Sequence, residues 1–177
     1  MPHFDDRSPT QSSRNLARAK AAALRHLTTR ARSVDEVSRR LALRYAPDVV
    51  QEVISGLRDQ GYLNDSAFAE AWRQHRERSS PRGERLMRQE LLRLGVEKEV
   101  VNEALTGLDA CGNAYRAAQR FAQKHKTSDY PQFRRRLWGF LYRRGFDPTV
   151  SGNTIRRLWR ELSDPLDRAV DPHTDEQ

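Results

Sequence analysis

A spacing of fifty residues recurs along this chain and sets the scale on which it can fold. Leu91 and Leu141, Gly95 and Gly145, Val96 and Phe146, Val100 and Val150, Leu105 and Ile155, and Leu108 and Leu158 all stand fifty apart, and upstream Met87 matches Leu137. The first segment fits the same template, with one residue fewer between helices, through Val37, Leu41, Tyr45, Val49, Val53 and Leu57. A glycine helix stop and six apolar positions aligned at one offset indicate a tandem unit. At this length each unit holds about three short helices.

Inside each unit the periodicity is helical. Val34, Val37 and Leu41 fall at i, i+3, i+7, as do Val50, Val53 and Leu57. No window alternates with the period of a strand. Ser33 and Glu36 form a capping box, "SVDE". Ala46-Pro47, Ser80-Pro81 and Asp147-Pro148 put proline where a first helical turn tolerates it. Gly61, Gly95 and Gly145 stand where helices should stop. In "GYLNDSAFAEAW" Gly61 ends one helix and Asn64 or Asp65 caps the next, so Tyr62 and Leu63 should bridge two helix ends. Phe68 and Trp72 should face the same core. The expected fold is all-α, three tandem three-helix repeats forming an elongated, curved protein. The expected divisions are a disordered N-terminal segment 1–15, repeats at 16–63, 64–109 and 110–162, and an acidic disordered tail 163–177.

Composition suits small bundles better than one deep core, with 37% hydrophobic and 32% charged residues among 177. Lys and Arg number 32 against 24 Asp and Glu, a net of +8, which favours a polyanion or an acidic protein surface as partner. The excess is local. Residues 64–109 hold 8 basic and 9 acidic residues, residues 130–162 hold 8 and 2, and the last fifteen hold 1 and 5.

Catalytic and metal chemistry find no foothold. No Gly-rich phosphate loop occurs, and no His pair has ligand spacing. His26, His75 and His125 recur at close to the repeat length, one per unit, so the fold should keep them apart. Cys111 stands alone and is expected to be a small buried filler. The stretch "LARAKAAALRHL" is too basic and too short to insert in a membrane. The expectation is a cytoplasmic, monomeric, non-enzymatic protein without cofactor or metal.

The basic stretch "YPQFRRRLWGFLYRRGF" is the candidate binding surface. Leu137 and Leu141 face the core, so Arg134 should snorkel at its rim while Arg135, Arg136 and Arg143 point outward. Arg144 adjoins them, and Arg156, Arg157 and Arg160 extend the charge on the next helix. Trp72, Trp138 and Trp159 are assigned to packing in preference to base stacking. An alternative reading is a free-standing DNA-binding protein of helix-turn-helix type, with the helix from about Pro148 as reader; against it, that helix offers Thr149, Ser151, Asn153 and Thr154 but places its arginines late.

The stretch "GYLNDSAFAEAWRQHR" resembles the signature of the RecX family, bacterial regulators of the RecA recombinase, through Gly61, Tyr62, Leu63, Asn64, Asp65, Phe68, Ala69, Trp72 and Arg76. "RGERLMRQELLRLGV" (Gly83, Glu90, Leu91, Gly95), "LYRRGF" (Arg144, Gly145, Phe146) and "RARSVDEVSRRLALR" are similar to further family stretches, so the resemblance spans about residues 16–162. The chain departs from the pattern at Tyr45-Ala46-Pro47, where the family usually has a glycine, and at Gly152 and Asn153 inside the last helix. The resemblance implies binding along the RecA–DNA filament, restraint of strand exchange and ATP turnover, and tempering of the SOS response in DNA repair and homologous recombination. Its implied partners are the RecA filament and, as a candidate direct contact, single-stranded DNA.

Overall fold

Nine helices and no strand occur among the described residues, which are 9–125, 127 and 129–163 of a computed structural model. They are α1 (Pro9–Leu27), α2 (Val34–Ala42), α3 (Pro47–Asp59), α4 (Asp65–Ser79), α5 (Glu84–Arg93), α6 (Lys98–Leu105), α7 (Ala110–Lys124), α8 (Tyr130–Arg143) and α9 (Pro148–Ser163). Taken in threes they are the three repeats. α1 begins at Pro9, inside the segment 1–15 expected to be disordered: the helix of the alanine-rich stretch from residue 16 extends upstream over PTQSSRN, with proline at its first position, where it is tolerated. Of the expected tail, Ser163 still belongs to α9 and the rest lies outside the described residues.

The chain divides into two compact units, one made of 1–72 with 90–104 and the other of 73–89 with 105–177. In the first, α1, α2 and α3 pack on one another around Ala19, Ala23, Val37, Leu41, Val53 and Leu57. In the second, α7, α8 and α9 pack around Ala118, Phe133, Leu137, Leu141, Ile155 and Leu158. The repeat template is a buried seam: Val37, Met87 and Leu137 are fully buried, and so are Leu41, Leu91 and Leu141. α4 and α5 of the middle repeat each run from one unit into the other.

Three helix ends use one device. Gly61, Gly95 and Gly145 have φ of 74°, 80° and 79°, which only glycine adopts without strain. In each, the glycine N–H returns to a carbonyl three residues back, on Arg58, Leu92 or Tyr142. The next N–H returns five back, to Leu57, Leu91 or Leu141. This is the Schellman arrangement, which satisfies carbonyls that the helix end would leave bare.

Two of these turns also dock on a neighbouring helix start, in the same way in each unit. In the second unit, Gly83 N–H donates to Arg144 O at 2.9 Å and the Arg85 guanidinium donates to Tyr142 O at 2.7 Å. In the first, Ser33 and Leu94 stand fifty residues before Gly83 and Arg144, and the Ser33 hydroxyl donates to Leu94 O, while the Arg39 guanidinium, which has no counterpart at that spacing, donates to Arg93 O at 3.4 Å. The approach is close: a Cβ on Gly83 would overlap the Gly145 carbonyl, and one on Gly95 would overlap the Asp35 side chain.

The signature segment is divided between two tasks. Asn64 caps α4, its Oδ1 accepting from Ala67 N–H at 2.9 Å, whereas Asp65 Oδ1 accepts the otherwise unpaired Val34 N–H at the start of α2, also at 2.9 Å. Leu63 and Phe68 are buried, and Trp72 is half-buried, its Nε1 donating to Glu90 Oε2 at 2.9 Å. Tyr62 does not bridge the helix ends: it is 58% exposed, because successive residues of a tight turn face opposite ways and Leu63 takes the inward place. Cys111 is likewise exposed on the first turn of α7, where the inward places go to Asn113 and Ala114.

The capping box of α2 is formed in full. Glu36 N–H donates to Ser33 Oγ, and Ser33 N–H donates to Glu36 Oε2. Burial alone would raise the Glu36 pKa, but hydrogen bonds from Arg30 and from the Ser33 N–H outweigh it and hold the carboxyl below its ordinary value. A carboxyl depressed in the folded state adds stability above its unfolded pKa of about 4.3, and loses it as pH falls through the lower folded value. Glu36→Gln should therefore lower the urea midpoint at pH 7, and by less as the pH is taken down through the acid range. A difference of equal size at every pH would assign the effect to shape, not charge.

Candidate partner-binding surface

α8 begins at an Asp129 cap, whose carboxylate accepts from Gln132 N–H, and buries Phe133, Leu137 and Leu141 four residues apart. That stripe sends Arg135, Arg136 and Arg143 outward. All three are exposed, and none has a side-chain hydrogen bond or ion pair among the described residues. Arg136 and Arg143, seven apart, share one face of the helix. Arg134 flanks the stripe with its guanidinium 6.0 Å from the Trp138 ring centre. Across a groove of about 420 Å³, lined also by Tyr130, Trp138 and Asn153, it faces Arg156 of α9.

The other basic candidates are differently used. Arg144 is half-buried: its guanidinium donates to Pro81 O at 3.2 Å and stands 4.7 Å from the Phe140 ring centre. Arg157 pairs with Glu161 at 2.7 Å and covers the Tyr115 ring at 4.1 Å; its pKa is raised, chiefly by the Glu161 hydrogen bond. Arg156 donates to Asn153, one turn back, and keeps most of its surface in solvent with Arg160. Thus Arg135, Arg136, Arg143 and Arg160 present unshared charge, while Arg144 and Arg157 hold the bundle together.

The motif residues occupy structural places, apart from the exposed Tyr62. Gly61, Gly95 and Gly145 are stops, Leu63, Phe68 and Phe146 are buried, Asp65 ties two helices and Trp72 packs on Phe68 with ring centres 5.9 Å apart. Trp159 packs against Tyr130 and Phe133 at 5.2 Å each. Ser151 and Thr154, among the residues that a helix-turn-helix reader helix would offer here, are buried at 2% and 6% exposure and cannot reach a groove. No group of three or more His, Cys, Asp or Glu placed to hold a metal occurs among the described residues. Within the same residues no helix is long and apolar enough to cross a membrane.

Sequence profiles match all three segments in order: the RecX first three-helix domain at 19–57, the second at 64–105 and the third at 109–150. The regulatory protein RecX of Mycolicibacterium vanbaalenii is 35% identical over 162 residues, covering 85% of this chain and 88% of that protein. The chain belongs to the RecX family. A second relative, the regulatory protein RecX of Mycobacterium ulcerans, is 35% identical over 86% of this chain and 90% of its own length. The crystal structure of RecX from Lactobacillus salivarius shares the fold, with a TM-score of 0.74 at 21% identity over 82% of this chain and 97% of that one. Both of these relatives are named regulatory proteins.

One concentration of charge escaped the sequence reading. The end of α4, α7 and the end of α8 together line a basic cleft whose residues come from segments as far apart as Arg78 and Arg144. The signal available was Arg116, Arg120 and Lys124, four apart on one face of α7, and it lies between the two windows whose charges were summed.

Proposed function

We propose that this RecX-family chain regulates the RecA recombinase by binding the RecA–DNA filament along its groove, restraining ATP hydrolysis and strand exchange and so tempering the SOS response in DNA repair. Membership of the RecX family across all three repeats carries this reading. Several separate surfaces on one chain multiply weak contacts through effective concentration, as a binder spanning neighbouring protomers requires. The exposed Arg135, Arg136 and Arg143 are the proposed contacts to phosphates or acidic partner groups, with Arg156 and Arg160 beside them. The protein acts as a cytoplasmic monomer.

The test is a RecA ATPase assay on single-stranded DNA, with the parent and with Arg135→Gln/Arg136→Gln/Arg143→Gln. The parent should lower turnover. The variant should need several-fold more protein for the same effect, with a flatter salt dependence because fewer charge contacts are made. Its melting curve should move little, since each exposed substitution changes stability by about 0.5 kcal/mol or less. No effect of the parent on RecA at any ratio would refute the reading. Equal potency of parent and variant would move the contact to another face.

A further inference from the structure

We propose that the basic cleft of the second unit binds the phosphate chain of a nucleotide. The cleft has a volume of about 520 Å³, within the range of small-molecule sites. Arg78, Arg116, Arg120, Lys124 and Arg144 all contribute to its lining, and among the described residues no acidic one does. Arg116, Arg120 and Lys124 recur every four residues, which sets their stems about 6 Å apart along α7. Arg78 approaches from α4, and Arg144 from the end of α8.

The charge here is under-compensated. Arg78, Arg120 and Lys124 are exposed and have no ion pair among the described residues. Arg116 has a loose one, 3.7 Å from Asp109. Arg144 is fixed in place by Pro81 O and by the Ser80 hydroxyl at 3.5 Å, so the wall it forms is pre-organised. Next to this loop the Arg82 pKa is lowered, chiefly by burial and further by the neighbouring cations Arg76 and Arg144.

The density of positive charge on the wall favours a phosphate chain over a carboxylate-bearing peptide. Guanidinium forks match either anion two oxygens at a time, but a phosphate chain concentrates several charges within a few ångströms. Phe121 lines the same cleft, its ring packed between Phe140 at 4.4 Å and His125 at 4.3 Å, so the cations and not a stacking platform carry the recognition. Phosphates on a base could come from a free nucleotide or from a single strand, and both present the same groups to the cleft.

The experiment uses the full chain without RecA, so its failure is separate from failure of the filament reading. Fluorescence anisotropy would follow a labelled nucleoside triphosphate and, in a second arm, a labelled single-stranded oligonucleotide. Arg78→Gln/Arg120→Gln/Lys124→Gln should weaken the bound species at least tenfold and flatten its salt dependence, with an unchanged melting curve. Arg120→Gln alone should weaken it about threefold, and Arg58→Gln, at an exposed arginine of the first unit, should bind like the parent. Binding in the nucleoside triphosphate arm, displaced by inorganic triphosphate and lost in the triple variant, would identify a free nucleotide as a source. Binding in the oligonucleotide arm alone, lost in the triple variant, would identify a strand. Three results would overturn the proposal: no binding in either arm, unchanged binding by the triple variant, or displacement by poly-glutamate as effective as by triphosphate at equal charge.

Discussion

Gly145→Ala should cost roughly 2–5 kcal/mol of stability, enough to leave a marginally stable helical protein partly unfolded at room temperature. Two penalties add. The residue holds φ of 79°, a left-handed conformation that costs an L side chain about 1–2 kcal/mol. The new methyl would also lie 2.5 Å from the Leu86 backbone nitrogen, inside the joint that seats this turn on the start of α5. That second penalty is an overpacking of backbone, which cannot step aside as the tip of a flexible side chain can. Gly61→Ala is the internal control, because its φ of 74° is nearly the same and nothing lies within 4 Å of the added carbon. It should cost only the backbone term. Urea unfolding followed by circular dichroism would compare the two. Equal losses at both positions would show that the joint between turn and helix gives way freely.

Phe133→Ala should be the largest side-chain effect in the second unit, about 3–5 kcal/mol. The ring is 1% exposed, sits at the centre of the α7–α9 core and stands 5.2 Å from Trp159. Truncation removes the transfer energy of the ring and leaves a hole that three short helices close only in part. Phe133→Leu fills most of the volume and should cost less than about 1.5 kcal/mol. The readout is the urea midpoint of each variant together with tryptophan emission, which should shift to the red as water reaches Trp159. An Ala variant within about 0.5 kcal/mol of the parent would mean that the bundle repacks fully around the loss.

Helical period, turn glycines and caps are properties of a few neighbouring residues, so they could be read from the chain alone. That is why the fifty-residue template, the three Schellman stops and the buried seam of Leu41, Leu91 and Leu141 were legible, as was the outward direction of Arg135, Arg136 and Arg143. The RecX signature was legible for the same reason, being one continuous stretch. What a side chain does when its partner lies tens of residues away could not be read. Asp65 could have capped its own helix, and only packing gives it the Val34 N–H. Arg144 and Arg143 are adjacent and chemically identical, yet one is drawn against Pro81 and the other left in solvent. Tyr62 and Leu63 were equivalent candidates for one inward place. Charge summed along a window averages opposite faces of a helix, so the cleft between α4, α7 and α8 stayed hidden until folding brought cations from three segments onto one wall.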